Sequence, residues 1–467
     1  MSDSPMPRSA IGARIARSEV APAVIFVLAW LAYFGMLQYS VVRFRVRIVV
    51  TLTAACVALS WWLARRATVR LPAGAVAVAL TGSALLGLTV PLFSYLPSGW
   101  ESAAMWVLAA GAVGAAVALL RDRPRSAWAS AVGAYALASV IAIRTDPTPK
   151  IDVWVTLQQA ADALARGDNF YSVTWVNSPG IKDAFTYLPW TAVLLAPGRW
   201  LAGDVRWMHL VWALVLAVGI WQLGVASRAR VGRSIAAAAT ALVLLVPGTL
   251  TQIDQAWTEP LLLAALTWWA VLIVRGHSWW AVIPLALACA SKQHLAVVLP
   301  LLVVWRPFGA ARAIATGALT GVLIAPWFLS APADFVHDTI TLLVGFHPIR
   351  FANTWYLFFL HTYGITLPFW ITGLIVLGTL SLALWFVARR QPPLGELLRW
   401  VALVLLIANL VNKQAFYNQY WLVGALVAVS LVADRPRAHP QGRSADSPTP
   451  PGPVPRGSGS RPERSVG

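Results

Sequence analysis

Three polar stretches of this sequence stand beside long apolar runs and carry the residue types of acid–base chemistry. The first, residues 144–171, reads RTDPTPKIDVWVTLQQAADALARGDNFY and places Asp152 at the start of a helical pattern. The second, QIDQAWTEP, contains Asp254 and Glu259, and the third is SKQH at 291–294. Carboxylates serve as general bases, whereas cations and amides bind the charge of anions such as phosphates. The sequence therefore offers the parts of a proton-transfer site and of an anion-binding site.

The segment that begins at Asp152 has the spacing of a short amphipathic helix. Its apolar stripe consists of Trp154, Leu157, Ala161 and Leu164, and Gly167 is suited to end the helix. A segment so short and polar does not span a bilayer, so we expect it to lie on the membrane surface. A carboxylate is favoured in the first turn of a helix. Asp152 is therefore either a general base or a plain N-terminal charge, and Asp146 is a rival base.

The SKQH stretch interrupts a long apolar run at 279–305. Consecutive polar residues at membrane depth require partners, so we predict that the run divides into two half-helices. Lys292 and the first amides of the second half-helix would then form a phosphate site. The alternative is a structural lysine whose ammonium group snorkels to the membrane surface.

The composition is that of a polytopic membrane protein. The 467 residues are 58% hydrophobic and 12% charged, with a mean hydropathy of +0.68, whereas soluble domains carry about 25% charged residues. Runs of about 20 apolar residues predict an all-α bundle of about 13–14 transmembrane helices. The net charge of +18 lies in short loops and in the tail, so we do not expect nucleic-acid binding. Cys56 and Cys289 stand in apolar runs and predict no disulfide framework.

The distribution of Lys and Arg predicts the orientation of the bundle. Cytoplasmic loops are expected at 65–70, 121–125, 227–233, 275–278, 305–312, 388–393 and 434–437. The other loops, at 144–183, 251–257, 291–294, 330–365 and 411–419, then lie outside and gather most of the unusual polar residues on one face. The run 184–201 must turn back as a re-entrant or interfacial helix. The three arginines of RFRVR, at 43–47, fit this orientation less well.

The order of these motifs resembles the GT-C superfamily of membrane glycosyltransferases. The segment KIDVWVTLQQAADALARGDNFY, followed by FTYLPWTAVLLAPGRWL, is similar to the bacterial glycosyltransferase family 87, which includes mycobacterial mannosyltransferases. The matching residues are Asp152, Trp154, Gly167, Tyr171 and YLPW at 187–190, where Leu188 replaces the first proline of the family's Tyr-Pro-Pro motif. QIDQAWTEPLLLA resembles the family's Gly-Gln-x-Glu stretch without its glycine, and ACASKQHLAVVLPLL resembles its lysine-containing helix start. The resemblance covers about residues 127–434.

The resemblance implies an inverting sugar transfer on the extracytoplasmic face of the cell membrane. The donor would be a polyprenyl-phosphate sugar, a hexose or pentose such as mannose, and the acceptor a glycolipid or glycan of the cell envelope. The first-loop Asp152 would deprotonate the acceptor hydroxyl. The implied partners are this donor, this acceptor and the lipid bilayer. The sequence indicates no cofactor and no metal site, although some GT-C branches use a divalent metal.

The predicted site draws residues from five parts of the chain. The catalytic candidates are Asp152, Glu259 and Asp254. The phosphate-binding candidates are Lys292, His294, Arg350 and Lys413. The sugar- or acceptor-binding candidates are Gln159, Tyr171, Tyr187, Gln255, His347, Gln414, Tyr417 and Asn418. A structural role stays open for several of them, for example a helix-start charge for Glu259 and interfacial anchoring for Tyr417.

The sequence also predicts how the chain is divided. We expect a cytoplasmic N-terminal segment at 1–20, a four-helix transmembrane extension at 21–126, and a GT-C-like catalytic core at 127–434. The catalytic loop at 144–183 belongs to this core, and residues 435–467 read as a disordered, basic, cytoplasmic tail. The main alternative function is a transporter or a flippase of lipid-linked glycans, for which broken helices near the bilayer midplane and internal repeats are typical.

Overall fold

The computed structural model describes residues 8–65, 71–226 and 230–434. The predicted tail at 435–467, most of the predicted cytoplasmic loop at 65–70, and part of the one at 227–233 lie outside the described residues. Every regular element in the described part of the chain is a helix. The predicted all-helical fold class is confirmed for these residues.

The described residues of the first half of the chain form nine α-helices. They are α1 (Arg8–Ser40), α2 (Val46–Arg65), α3 (Ala73–Thr89), α4 (Ser98–Leu120), α5 (Pro124–Thr145), α6 (Asp152–Arg166), α7 (Trp190–Ala202), α8 (Arg206–Val225) and α9 (Arg230–Leu244). The apolar runs of the sequence account for most of them. α6 is the predicted amphipathic helix, and Gly167 ends it in a left-handed conformation with φ 77°, which a glycine adopts without strain.

The second half continues with shorter and longer helices in alternation. They are α10 (Thr251–Asp254), α11 (Glu259–Val274), α12 (Val282–Cys289), α13 (Leu299–Val304), α14 (Gly309–Ser330), α15 (Pro332–Val336), α16 (Leu342–Gly345), α17 (Trp355–Tyr363), α18 (Phe369–Arg390), α19 (Leu394–Val411) and α20 (Tyr417–Ala433). Short 3₁₀ helices lie at Phe170–Ser172 and Gln293–Val298, and a π turn at His337–Thr341.

Eight of the described helices are long and apolar enough to cross a membrane. They run through Ala21–Ser40, Val46–Arg65, Ser98–Leu120, Pro124–Thr145, Arg206–Ala226, Gly309–Ser330, Phe369–Arg390 and Leu394–Val411. Five further apolar helical stretches are only 10–17 residues long. The sequence predicted about 13–14 spans, more than the eight long helices, because an apolar run in the sequence does not show how short its helix is in the fold.

The loops that connect the helices lie at two ends of the bundle, and the two ends differ in composition. One end, which we call the polar end, is formed by the loops at 41–45, 90–97, 146–189, 245–258, 331–354 and 412–416. Hydrogen bonds join these loops, for example from the Asn353 amide to the Arg43 carbonyl at 2.8 Å and from the Tyr95 backbone N–H to Asp254 at 3.2 Å. The opposite end carries short turns with arginines in or beside them, such as Arg121 and Arg123 in the turn at 121–123 and Arg389 and Arg390 just before the turn at 391–393.

α7 does not cross the bundle, as its predicted return requires. Its first residue donates from the Trp190 backbone N–H to the Ala290 carbonyl at 3.1 Å. Its last turn lies against α6, where Arg199 pairs with Asp162 at 2.8 Å and the Trp200 indole donates to the Ala161 carbonyl at 2.9 Å. The chain therefore descends into the bundle after α6, turns near Trp190 and rises again to the polar end. The re-entrant interpretation of 184–201 is confirmed.

The predicted break at SKQH is also present. α12 has eight residues, about 12 Å at the rise of an α-helix, whereas a bilayer core is about 30 Å thick. The chain leaves α12 at Ala290 and continues through the 3₁₀ helix into α13. Lys292 consequently lies inside the bundle rather than in a loop at its surface.

The first helices are integrated with the last ones. α1 and α2 pack on α19 and α20, and the Tyr33 hydroxyl donates to the Tyr420 carbonyl at 2.7 Å. The described residues up to Asp434 form one compact unit. The loop between α3 and α4 reaches the same polar end as α6.

Candidate active site

Asp152 stands at the start of α6, under the loop that follows Trp175. Its Oδ1 accepts a hydrogen bond from the Val153 backbone N–H at 2.9 Å. Gly180 lies so close to Oδ2 that a Cβ atom there would collide with the carboxylate. Burial raises the pKa of Asp152, and the backbone N–H groups of Val153 and Ile181 partly offset this rise. A raised pKa suits a general base because it strengthens the affinity for a proton.

Two of the predicted sugar-binding residues, Gln159 and Tyr171, hold this loop in place. The Gln159 amide exchanges two hydrogen bonds with the Val176 backbone, at 2.7 and 3.0 Å. Tyr171 is 2% exposed and donates from its hydroxyl to the Tyr187 carbonyl at 2.8 Å. Their polar atoms have protein partners, so both residues help to position the loop; their sugar-binding role stays a prediction. Polarity alone does not reveal such backbone partners.

Asp254 forms an acidic cluster with Asp146 and Asp152 around Tyr95. Asp254 is fully buried, and burial raises its pKa to about 7. The three carboxylates lie close enough to Tyr95 to add to the rise of its pKa to about 12, which is caused mainly by burial. Like charges at short range favour protonation of one member. The cluster can therefore both accept and hold protons.

Tyr95 is a site residue that the sequence did not indicate. It lies in the loop between α3 and α4, which reads as an ordinary connection in the sequence. The same loop holds the Gln255 amide, which donates to the Phe93 carbonyl at 3.4 Å. Gln255 is therefore partly engaged in anchoring this loop. Only the folded chain shows that the first four helices contribute to the site.

Glu259 and Lys292 form an ion pair inside the bundle. Lys292 Nζ lies 2.5 Å from Glu259 Oε1 and 3.3 Å from the Thr258 hydroxyl. The Glu259 side chain is fully buried and that of Lys292 is 11% exposed. The pair keeps both groups charged where an isolated charge would be costly. An ammonium group has three donors, so Lys292 retains one N–H for a further partner.

Three other predicted residues surround this ion pair. The Lys292 ammonium lies 5.4 Å from the centre of the Tyr187 ring, and Tyr187 also lies close to both Glu259 and Asp152. Asn418 approaches the Glu259 carboxylate from the start of α20. His294 follows Lys292 in the 3₁₀ helix and lies near the pair. Tyr187 therefore connects the ion pair with the acidic cluster.

Four predicted residues form a separate rim at the polar end. The Lys413 ammonium donates to the Val344 carbonyl at 2.6 Å, and burial lowers its pKa. The Gln414 amide reaches the His347 carbonyl at 3.5 Å, and the His347 ring stacks on Phe346 at 4.4 Å. Arg350 is exposed. Among the described residues, no direct contact joins these four side chains to Lys292.

Tyr417, a predicted sugar-binding residue, is packed inside the bundle. It is 1% exposed, donates from its hydroxyl to the Pro247 carbonyl at 2.8 Å and stacks on Trp257 at 5.6 Å. Gly248 packs against its ring, with φ 81°. The hydroxyl has its partner within the protein, so Tyr417 fixes the 245–258 loop.

An Asp204–Arg206 pair at the start of α8 was missed in the sequence. Arg206 is fully buried, its Nη2 lies 2.7 Å from Asp204 Oδ2, and it also donates to the Asp146 carbonyl at 2.5 Å. The Trp154 indole donates to Asp204 at 3.2 Å. The signal was present as GDVR between two apolar runs. This pair fixes the backbone of Asp146 at the edge of the acidic cluster.

Several buried polar atoms of the polar end have no hydrogen-bond partner among the described residues. They are Asp146 Oδ2, Ser178 Oγ, Arg206 Nη1, His209 Nε2, both amide atoms of Gln252, Asp254 Oδ1, Glu259 Oε2 and Asn418 Oδ1. Most buried polar groups in proteins are hydrogen-bonded. A concentration of free acceptors and donors around Asp254 and Glu259 is suited to a ligand with many hydroxyl groups.

An apolar cavity lies between four helices of the bundle. It measures about 230 Å³ and is bounded by α7, α8, α11 and α12. Its wall includes Trp212, Leu261 and Trp268, and one of its lining residues is Ser291, the neighbour of Lys292. The lining is apolar throughout, which suits a hydrocarbon chain.

Within the described residues, no group of three or more His, Cys, Asp or Glu side chains is placed to hold a metal ion.

No family model matches the chain, and no curated protein is significantly similar to it. The class of protein that the fold defines is therefore an all-helical, multi-pass membrane protein with a buried acidic and cationic site at one end.

Proposed function

We propose that this protein is a GT-C-type membrane glycosyltransferase that uses a polyprenyl-phosphate sugar. The observation that carries the proposal is the combination of the half-buried Asp152, the Glu259–Lys292 ion pair and the apolar cavity. These features provide a proton acceptor, a cation and a place for a hydrocarbon chain. The order of the sequence motifs supports the same assignment.

The transfer step assigns Asp152 the role of base. The acceptor hydroxyl gives its proton to the Asp152 carboxylate while its oxygen forms a bond to the anomeric carbon of the sugar. The bond between that carbon and the phosphate oxygen breaks, and the phosphate leaves with the electron pair. A single in-line attack inverts the anomeric centre. The raised pKa of Asp152 favours proton uptake in this step.

Lys292 is the proposed electrostatic partner of the leaving phosphate. Glu259 holds its ammonium group at 2.5 Å, which fixes the position of the cation, and the remaining N–H can bind a phosphate oxygen. Cations placed where negative charge develops lower the barrier of group transfer. Glu259 Oε2 and Asn418 Oδ1 lack partners among the described residues and are proposed to accept hydrogen bonds from sugar hydroxyls.

The apolar cavity is the proposed entry of the prenyl chain. Ser291, which precedes Lys292 in the chain, is one of its lining residues, and we propose that the phosphate of a chain lying in it reaches Lys292. The polar end would face the extracytoplasmic side of the cell membrane, because the arginine-rich turns at the opposite end favour the cytoplasm. Cell-envelope glycolipids or glycans are the proposed acceptors.

A transporter or flippase of lipid-linked glycans is the second candidate. The broken helix at 290–293 favours it, because discontinuous helices with buried charges are typical of transport sites. In that case Lys292 and Glu259 would bind the glycan phosphate without a transfer step. The two candidates differ in whether a new glycosidic bond forms.

The test uses the full-length protein in nanodiscs with a panel of polyprenyl-phosphate sugars and envelope glycolipid acceptors. We expect transfer by the wild type and a loss of about 10²–10⁴-fold in Asp152→Asn. Asp183→Asn, an exposed change in the same loop, is the matched control and keeps full activity. Full transfer by a folded Asp152→Asn protein would rule out the base role. Donor binding and translocation without transfer would select the flippase.

A further inference from the structure

The loop between α1 and α2 concentrates positive charge at the polar end. Arg43, Arg45 and Arg47 lie within five positions, and Arg45 and Arg47 are exposed. The guanidinium groups of Arg43 and Arg47 both lie on the Tyr39 ring, 5.1 and 4.6 Å from its centre. Within the described residues, none of the three makes an ion pair. Two guanidinium groups therefore share one aromatic ring, and no carboxylate in the described part of the chain neutralises their charge.

A fourth arginine joins this group through the loop before α17. The Asn353 amide donates to the Arg43 carbonyl at 2.8 Å and accepts from the Arg45 backbone N–H at 3.2 Å. The His361 ring lies 4.9 Å from the Phe44 ring, and its Nε2 is 3.1 Å from the Arg350 carbonyl. These contacts fix the two loops together, with the exposed Arg350 beside the first loop. We call Arg43, Arg45, Arg47 and Arg350 the arginine patch.

The arginine patch lies at the depth where the membrane-spanning segments end. α1 finishes at Ser40 and α2 begins at Val46, so the loop between them is at the level of the lipid headgroups. Exposed aromatic side chains also lie between the end of α17 and the start of α18, with Tyr363 62%, Phe369 75% and Trp370 63% exposed. Aromatic residues at this level are typical of a membrane interface.

We propose that the arginine patch binds the phosphate group of anionic glycerophospholipids in the leaflet on the polar side. The charge is complementary, the depth matches, and the exposed aromatic residues contact the acyl region of the same lipid. Arginine also pairs well with phosphate because its fork of N–H groups can bind two oxygens. The patch does not depend on the transfer reaction. It gives a role to three arginines at the polar end, although short extracytoplasmic loops usually carry few Lys and Arg residues.

The test uses the full-length protein in phosphatidylcholine nanodiscs with increasing fractions of a photoreactive phosphatidylglycerol. Labelling of residues 41–65 and 346–363, read by peptide mapping, reports occupancy of the patch. A basic residue near a charged membrane surface contributes about fivefold in affinity. The Arg45 guanidinium donates to the Phe44 carbonyl at 2.8 Å and forms no ion pair in the described part of the chain, so we expect Arg45→Gln to raise the half-labelling fraction about fivefold.

Three further variants separate charge from structure. Arg43→Gln/Arg45→Gln/Arg47→Gln should abolish selective labelling, whereas the same three changes to lysine should retain it. Arg121→Gln/Arg123→Gln/Arg125→Gln removes as many exposed arginines at the opposite end and should leave it unchanged. Equal labelling by photoreactive phosphatidylcholine, or unchanged labelling in Arg45→Gln, would overturn the proposal. Displacement by millimolar inorganic phosphate at constant ionic strength would also overturn it, in favour of a soluble anion.

Discussion

The buried ion pair of Glu259 and Lys292 gives the sharpest quantitative prediction. At the observed 2.5 Å, two unit charges attract by about 7 kcal/mol with an effective dielectric constant of about 20. Desolvation offsets much of this attraction. Removing one partner, however, leaves the other as an uncompensated buried charge, which costs about 3–5 kcal/mol. We therefore expect Glu259→Gln and Lys292→Met each to lower the free energy of unfolding by about that amount.

The double variant Glu259→Gln/Lys292→Met separates the pair from its two members. It leaves no buried charge, so its loss should be well below the sum of the two single losses, with a coupling free energy of about 3 kcal/mol. The measurement is denaturant unfolding of the purified protein in detergent micelles. Arg166→Gln is the matched control, because Arg166 and Asp168 form a 2.7 Å pair that is about half exposed and should contribute at most about 1 kcal/mol.

Two results would refute this reasoning. If each single variant lost less than about 1 kcal/mol, the pair would be solvated rather than buried. If the two losses were additive in the double variant, Glu259 and Lys292 would not interact in the folded protein. Either result would also remove the fixed cation on which the proposed phosphate contact depends.

Three other predictions follow from the site. Burial raises the pKa of Asp254 from 3.8 to about 7, so the folded chain keeps a proton that the unfolded chain releases. As the pH rises from about 4 to 7, the free energy of unfolding of the wild type should therefore fall by up to about 4 kcal/mol relative to that of Asp254→Asn. Denaturant unfolding of both proteins at each pH measures this difference. Gly180→Ala should displace the Asp152 carboxylate and lower kcat without a comparable loss of stability. Gly99→Ala is the control, because its new Cβ meets no neighbouring atom, and its kcat should equal that of the wild type. An unchanged kcat in Gly180→Ala would contradict the contact between Gly180 and Asp152. The pKa of Asp152 is raised, so the rate of transfer should fall on the acidic side at a higher pH than an ordinary aspartate would give. A pH–rate profile without this acidic decline would contradict the role of Asp152 as the base.

Local features were predictable from the sequence because they depend on neighbouring residues. The stripe on α6 and its end at Gly167 follow from helical spacing, and the break at SKQH follows from four polar residues in an apolar run. The return of 184–201 followed from counting the charged loops. Each of these predictions used only periodicity, polarity or charge.

The partners of individual side chains were not predictable in the same way. Glu259 and Lys292 are separated by 33 residues, and their pairing depends on how α11 and the broken helix pack. Gln159, Tyr171 and Tyr417 are predicted to bind sugar, but the sequence did not reveal that their polar atoms also hydrogen-bond to backbone groups of other segments. Tyr95 was missed for the converse reason, since it lies between α3 and α4 while its neighbours Asp146 and Asp254 lie at the ends of α5 and α10, and they meet only in the folded chain.

The re-entrant α7 has a consequence for the biogenesis of the protein. Its start is anchored by the Leu188 and Trp190 backbone N–H groups and by the Thr191 hydroxyl, which donate to carbonyls of Ala290 and Ser291. These acceptors are synthesised about a hundred residues later, which takes roughly 5–20 s at the usual speed of a ribosome. During that interval the descending segment has unsatisfied polar groups and cannot rest in lipid. It must therefore wait at the membrane surface or in the insertion machinery, so the polar end of the bundle is completed only after α12 has been inserted.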